Sequence, residues 1–190
     1  MKKILKMLLK MLPILLYPYL YMIIVSVSPV IADAVPESVS SYLNIYNPIT
    51  AFVMTVIVHV LVILSHISFI ANAVKGNYSS KDLALLTAIC KLVHIPAFIL
   101  HFLLGALGLF ASIWGIGFIA WAIVIDILTI LQTGIMSITT AVRCAKEKVF
   151  STTYSAIFSV LGFIYCIDVV SSILVFIKTS EANKKGVPST

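Results

Sequence analysis

Six ionisable side chains stand inside otherwise apolar stretches of this chain: His59, His66, His94, His101, Asp126 and Asp168. An ionised carboxylate facing hydrocarbon costs several kcal/mol, so both aspartates are expected to face protein and find donors, or to hold a proton. Paired with imidazolium they would form a site for a proton, a cation or a small polar solute. The alternative is structural: each acid is tied to a neighbouring histidine, threonine or tyrosine and sets the register of the helices.

Spacing supports inward-facing polar stripes. Asp126, Thr129, Thr133, Ser137 and Thr140 recur every three or four residues, which is one face of a helix. His94, Ala97, His101, Gly105, Gly108 and Ser112 form a face of small and polar residues, the kind on which membrane helices approach closely. Thr55, His59 and His66 align on another helix, and Tyr165, Asp168 and Ser172 on a further one. At about 1.5 Å of rise per residue, His59, His101, Asp126 and Asp168 all fall roughly 15–18 Å from an outer end and would share one layer. The candidates for an intramembrane polar or ion-binding site are therefore Asp126, Asp168, His59, His101, Thr129 and Thr133, with His94, His66 and Tyr165 secondary.

The histidines permit a sharper reading. His59 and His66 are seven residues apart, as are His94 and His101, so in an antiparallel hairpin His66 would meet His94 and His59 would meet His101. Imidazoles so placed ligate a transition metal or a haem. Lone histidines on packed faces are more often hydrogen-bonded structural residues, so no metal or cofactor is assigned and these four stay as metal candidates only.

The elements that must hold these residues are set by hydropathy. The chain is 61% hydrophobic and 11% charged, with a mean hydropathy of +1.13, where a soluble domain carries about 25% charged residues. The expected fold is all-α, a single integral membrane domain over residues 1–190 with five transmembrane helices near 11–31, 49–74, 80–112, 116–142 and 153–177. Lys2, Lys3, Lys6 and Lys10 at near-helical spacing suit an interfacial segment. Read instead as the basic start of a signal ending at Ala32-Asp33-Ala34, residues 1–34 would be removed, leaving four helices.

Residues 32–48 lack Lys and Arg and read as an outer loop with Tyr42 and Tyr46 at the interface. Gly76-Asn77 breaks the chain into an inward turn, and Ser79 to Asp82 fits a capping box. The helix beginning there exceeds one crossing, so its part up to Lys91 is expected at the interface, with Pro96 marking the bend inward. Trp114-Gly115-Ile116-Gly117 turns outward, with Trp114 and Trp121 suited to headgroups. An inward N-terminus puts ten Lys or Arg inside and three, Lys178, Lys184 and Lys185, outside, which favours N-in and C-out.

Other functions are disfavoured. The net charge of +6 sits at the ends of apolar runs, which reads as topology and not nucleic-acid binding. Cys90, Cys144 and Cys166 form neither a disulfide framework nor a zinc motif. No HExxH, GxSxG or Walker sequence is present, so an enzyme is not expected.

The segment Lys91-Leu92-Val93-His94-Ile95-Pro96-Ala97, with His101-Phe102, Gly105, Asp126 and Ala141-Val142-Arg143, resembles a family of small, uncharacterised polytopic membrane proteins from bacteria. The likeness extends to NIYNPITAF at 44–52 and to Cys166-Ile167-Asp168-Val169-Val170. It implies a bacterial cytoplasmic-membrane protein with several spans and supplies no activity. The expected role is a membrane interaction or accessory subunit whose partners are the lipid bilayer and another membrane protein or a second copy. The alternative is a small transporter or channel-like protein using the Asp and His layer.

Overall fold

The computed structural model describes residues 2–36, 38–40, 47–110 and 113–184. Tyr42, Tyr46, Ser112, Lys185 and the side chain of Trp114 lie outside what it describes. Seven helices account for most of the described residues: α1 Lys2–Lys10, α2 Leu12–Asp33, α3 Pro48–Val74, α4 Ser80–Gly108, α5 Ile113–Lys146, α6 Thr152–Leu161 and α7 Ile167–Lys184.

The predicted capping box opens α4: the Ser79 side chain accepts from Asp82 N–H, and the Asp82 carboxylate accepts from Ser79 N–H. The Asn47 side chain caps α3 by accepting from Ile49 N–H, with Pro48 in the first turn, where a missing N–H costs nothing. Pro96 lies within α4 without ending it. The part of α4 before Lys91 packs into the bundle, where Leu83, Ala84, Leu86, Thr87, Cys90 and Lys91 itself are all buried.

α1 runs into α2 almost without a break, since Met11 N–H donates to Met7 O and Leu15 N–H to Met11 O. The sharp bend comes later: Leu12–Leu20 and Met22–Ile31 meet at 64°. Pro18 lies in the turn before that bend and cannot donate to Ile14 O, the carbonyl a helix would offer it.

Met7, Met11, Ile14 and Tyr17 join Val62, Phe69, Leu83, Leu86 and Met136 in the main core, which thereby binds α1 to α5 together. Glycines permit the closest approaches. A Cβ on Gly115 would lie 1.6 Å from Gly108 O, so α4 and α5 touch backbone to backbone near their turn.

The C-terminal region departs from the expected fifth span. Instead of one helix over 153–177, α6 ends at Leu161 and α7 starts at Ile167, with Cys166 between them at a φ of +65°. Gly162 follows α6 directly, and a Cβ there would sit 2.5 Å from Ser137 Cβ. Phe163 lies against Gly134, where a Cβ would approach its ring to 2.3 Å. α6 therefore packs along α5, whereas α7 turns back along α4, with Val175 against Ala84 and Cys144. Near its end Lys178, Glu181 and Ala182 share a groove with Val149, Phe150, Ser151 and Tyr154.

This pair is a hairpin that enters the bundle and leaves it at the same end. The ten residues of α6 rise about 15 Å, half of a hydrocarbon core about 30 Å thick. Among the described residues three helices are long and apolar enough to cross a membrane, Pro48–Val74, Ser80–Gly108 and Gly115–Lys146, and a fourth is counted if the bent α2 pair is one span. The expected count of five is not confirmed by the lengths and composition of the described helices.

The basic residues agree with this geometry. Every described Lys and Arg except Lys91 lies in α1, in 75–81, in 143–148 or in the last turns of α7. α1 meets that end through Lys3, whose Nζ is 3.5 Å from Asp82 Oδ2 and 4.6 Å from the centre of the Tyr78 ring. Burial, and then the Asp82 carboxylate, push the Tyr78 phenol above its usual range. The expected outcome is that reporters fused before Met1 and after Thr190 read out on the same side of the bilayer. Readout on opposite sides would restore an odd number of crossings.

Candidate functional site

The polar residues of α4 recur as one buried stripe: Ser80, Thr87, Lys91, His94 and His101. α5 answers with Asp126, Thr133 and Thr140, and Glu147 follows just past its end. Three contacts define the register of this antiparallel pair. His101 Nδ1 lies 2.6 Å from Asp126 Oδ1, Thr87 and Thr140 hydroxyls lie 2.9 Å apart, and Ser80 N–H donates to Glu147 Oε2 at 3.0 Å. Fourteen residues separate His101 from Thr87 and Asp126 from Thr140; seven separate Thr87 from Ser80 and Thr140 from Glu147. A slip of either helix would break all three contacts at once.

Lys91 holds the hairpin in place. Its Nζ donates to Gly162 O at 2.9 Å and to Asp168 Oδ2 at 3.0 Å, with the two side chains only 1% and 4% exposed. The ammonium therefore meets a carbonyl at the C-terminal end of α6, and the carboxylate lies in the first turn of α7. Each charge sits where the helix dipole favours it. Lys91 was expected to face the interface; it is the principal partner of Asp168, joined across 77 positions of sequence.

The expected single layer resolves into two levels. Asp168 stands at Lys91 and Asp126 at His101, ten residues apart on α4, which is about 15 Å along the axis. His101 is fully buried, with its ring edge-on to Trp121 at 5.4 Å, while the Asp126 side chain keeps 22% of its surface exposed. Nδ1–H donating to a carboxylate fits this arrangement, because among the described residues the buried Nε2 has no partner and a proton there would be an unpaired donor. Thr129 and Thr133 are buried on the same face and donate to carbonyls of α5 itself. Tyr165, at the tip of the hairpin, packs its ring against Phe98 at 5.4 Å.

The remaining histidines have separate partners. His94 Nε2 lies 3.0 Å from Ile14 O, the carbonyl that Pro18 deprives of its helical donor, so the imidazole replaces a missing backbone bond. His66 Nε2 reaches Gln132 O at 3.0 Å, and its Nδ1 reaches Val62 O. His59 Nε2 lies 3.2 Å from the Tyr17 hydroxyl, on the wall of an apolar cleft of about 380 Å³ between α2, α3 and α5. The meetings of His66 with His94 and of His59 with His101 do not occur. Among the described residues no three His, Cys, Asp or Glu side chains are grouped to hold a metal.

One turn below the Lys91 and Asp168 pair, Thr87, Ser137, Thr140, Ser171 and Ser172 surround a void of about 10 Å³. Ser137, Ser171 and Ser172 donate into their own helices, which leaves lone pairs for the void. Such a space takes one water at most. Glu147, buried and bonded to both Ser80 and Arg143, is a further polar residue that sequence reasoning missed; its position seven residues beyond Thr140 was the available signal.

These features define a class: a helical protein with several bilayer-length apolar helices and charged pairs enclosed between them. Residues 7–181 match a family of unknown function (DUF6652), and the chain belongs to that family. Neither a curated protein nor a solved structure matches it.

Removing one partner of the Lys91 and Asp168 pair leaves a buried charge, so Lys91→Met or Asp168→Leu alone is expected to cost about 3–5 kcal/mol, whereas the double variant recovers most of that. Thermal unfolding of the detergent-purified variants measures it. Additive losses would show that the two groups act independently.

Proposed function

We propose that this chain is a multi-pass protein of the bacterial cytoplasmic membrane, with both termini cytoplasmic, acting as an interaction or accessory subunit for another membrane protein or a second copy of itself. One observation carries this reading: Lys91, His94 and His101, the charged and imidazole groups of the α4 stripe, each have a partner within the chain, and the void one turn below Lys91 is no larger than a water. Groups committed in this way set helix register and have little capacity left for a travelling solute. The faces of α3 and α5 supply the contrast, with Phe52, Ile63, Ile67, Ile123 and Ile127 exposed to a bilayer or a partner helix. The cytoplasmic placement rests on the basic residues gathered at one end.

A second reading, a small carrier of protons or cations, is favoured by the break at 162–166 and by the partial exposure of Asp126. Carriers are often built from interrupted helices that place a carboxylate at mid-depth. Two measurements separate these readings. Purification in mild detergent is expected to retain a stoichiometric membrane partner or a defined homo-oligomer. In proteoliposomes, wild type and Asp126→Asn are expected to show the same background proton flux. A flux that the substitution abolishes would decide for the carrier.

A further inference from the structure

Between α3 and α5, at the end where the basic residues gather, lies a groove of about 180 Å³. Its long walls are apolar but for Thr139, formed by Ile70, Ala73 and Val74 on one side and Ile138, Thr139 and Val142 on the other, and Arg143 and Lys146 close it. Glu147 engages the Arg143 guanidinium through Nε at 2.7 Å. The two terminal nitrogens lie over Gly76, 3.5 and 3.6 Å from where a Cβ would stand. Gly76 holds a φ of +71°, a conformation that L residues rarely adopt, and the exposed Lys75 before it directly follows Val74 of the groove wall.

The charges at this mouth are unbalanced. Asp82 is paired with Lys3 and Glu147 with Arg143, whereas among the described residues neither Lys75 nor Lys146 is paired with a carboxylate. An apolar trough facing the bilayer and ending in a guanidinium and the Lys146 ammonium, with Lys75 next in sequence to its wall, has the form to receive an amphiphile with an anionic head. Basic pockets between membrane helices bind such headgroups, and a guanidinium matches the planar oxygen pairs of a phosphate.

We propose that this groove binds one anionic phospholipid, its phosphate at Arg143, Lys146 and Lys75 and an acyl chain along Ile70, Ala73 and Val142. The proposal rests on the membrane reading above and goes beyond it by naming the ligand and its residues. Arg143 also anchors Glu147 to Ser80, so the two lysines and the groove wall are the positions to vary. Both variants leave the buried pairs intact.

The full-length protein is reconstituted into nanodiscs, and retained lipid is counted by native mass spectrometry with phosphatidylglycerol against phosphatidylcholine. Wild type is expected to retain phosphatidylglycerol selectively. Lys75→Gln with Lys146→Gln is expected to lower that retention about fivefold for each lysine removed. Val142→Trp, which fills the trough from its exposed wall, is expected to abolish it with both lysines present. Inorganic phosphate is expected not to displace the lipid.

Equal retention of the two lipids, no effect of the lysine substitutions, or selectivity that survives Val142→Trp would each overturn the proposal, the last by assigning the effect to surface charge alone. Displacement by inorganic phosphate would overturn it too, by assigning the site to a soluble anion. Failure of the protein to enter the disc sinks the membrane reading instead, and is seen before any lipid is counted.

Discussion

The arrangement of this bundle depends on an ammonium group that has no access to water. Lys91 reaches across from the middle of α4 to a carbonyl at the end of one short helix and a carboxylate at the start of the next. Without that cation the chain would have to bury an acid and the end of an interrupted helix side by side, both rich in negative charge. With it, one helix can end and the next begin in the interior, where backbone groups otherwise find no partner. Gly134 and Gly162 supply the room and Lys91 supplies the charge; neither suffices alone.

The same economy applies along the rest of α4. In a bilayer the hydrophobic effect does little to choose between helix registers, because lipid is as apolar as leucine. Hydrogen-bonded pairs spaced at multiples of a heptad make that choice, and they are worth retaining even where each adds little net stability. The His94 contact extends this logic to backbone chemistry. Pro18 bends α2 by withholding a donor from Ile14 O, and an imidazole from a different helix makes up the loss. The proline and the histidine are thus one feature seen from two places in the chain.

Much of the helical layout could be read from residue order. The capping box at Ser79, the polar stripe on α5 and the pairing of an intramembrane acid with a histidine follow from local periodicity and from the cost of a bare charge. The broken C-terminal helix could not be read, because VLGFIYCIDVV is apolar but for Asp168 and one glycine among such residues marks no stop. What breaks the helix is contact with Ser137 and Gly134, which sequence does not display. Lys91 was misplaced for a related reason: a lysine near the start of a long helix looks like a topology signal until its counter-ion is known. The single polar layer failed because it assumed five straight crossings, whereas Asp168 sits on an element that turns back.

A hairpin that enters and leaves by one face has a consequence for how the protein is made. On the proposed topology, no basic residue after Arg143 has to be translocated, so the last forty residues can be inserted from the side on which the ribosome works. Until they arrive, α4 carries an uncompensated cation in the half-built bundle. Arrival of the hairpin would then be the step that renders the nascent protein electrically quiet, and a truncated chain ending before it would present quality-control proteases with an exposed lysine in the wrong solvent.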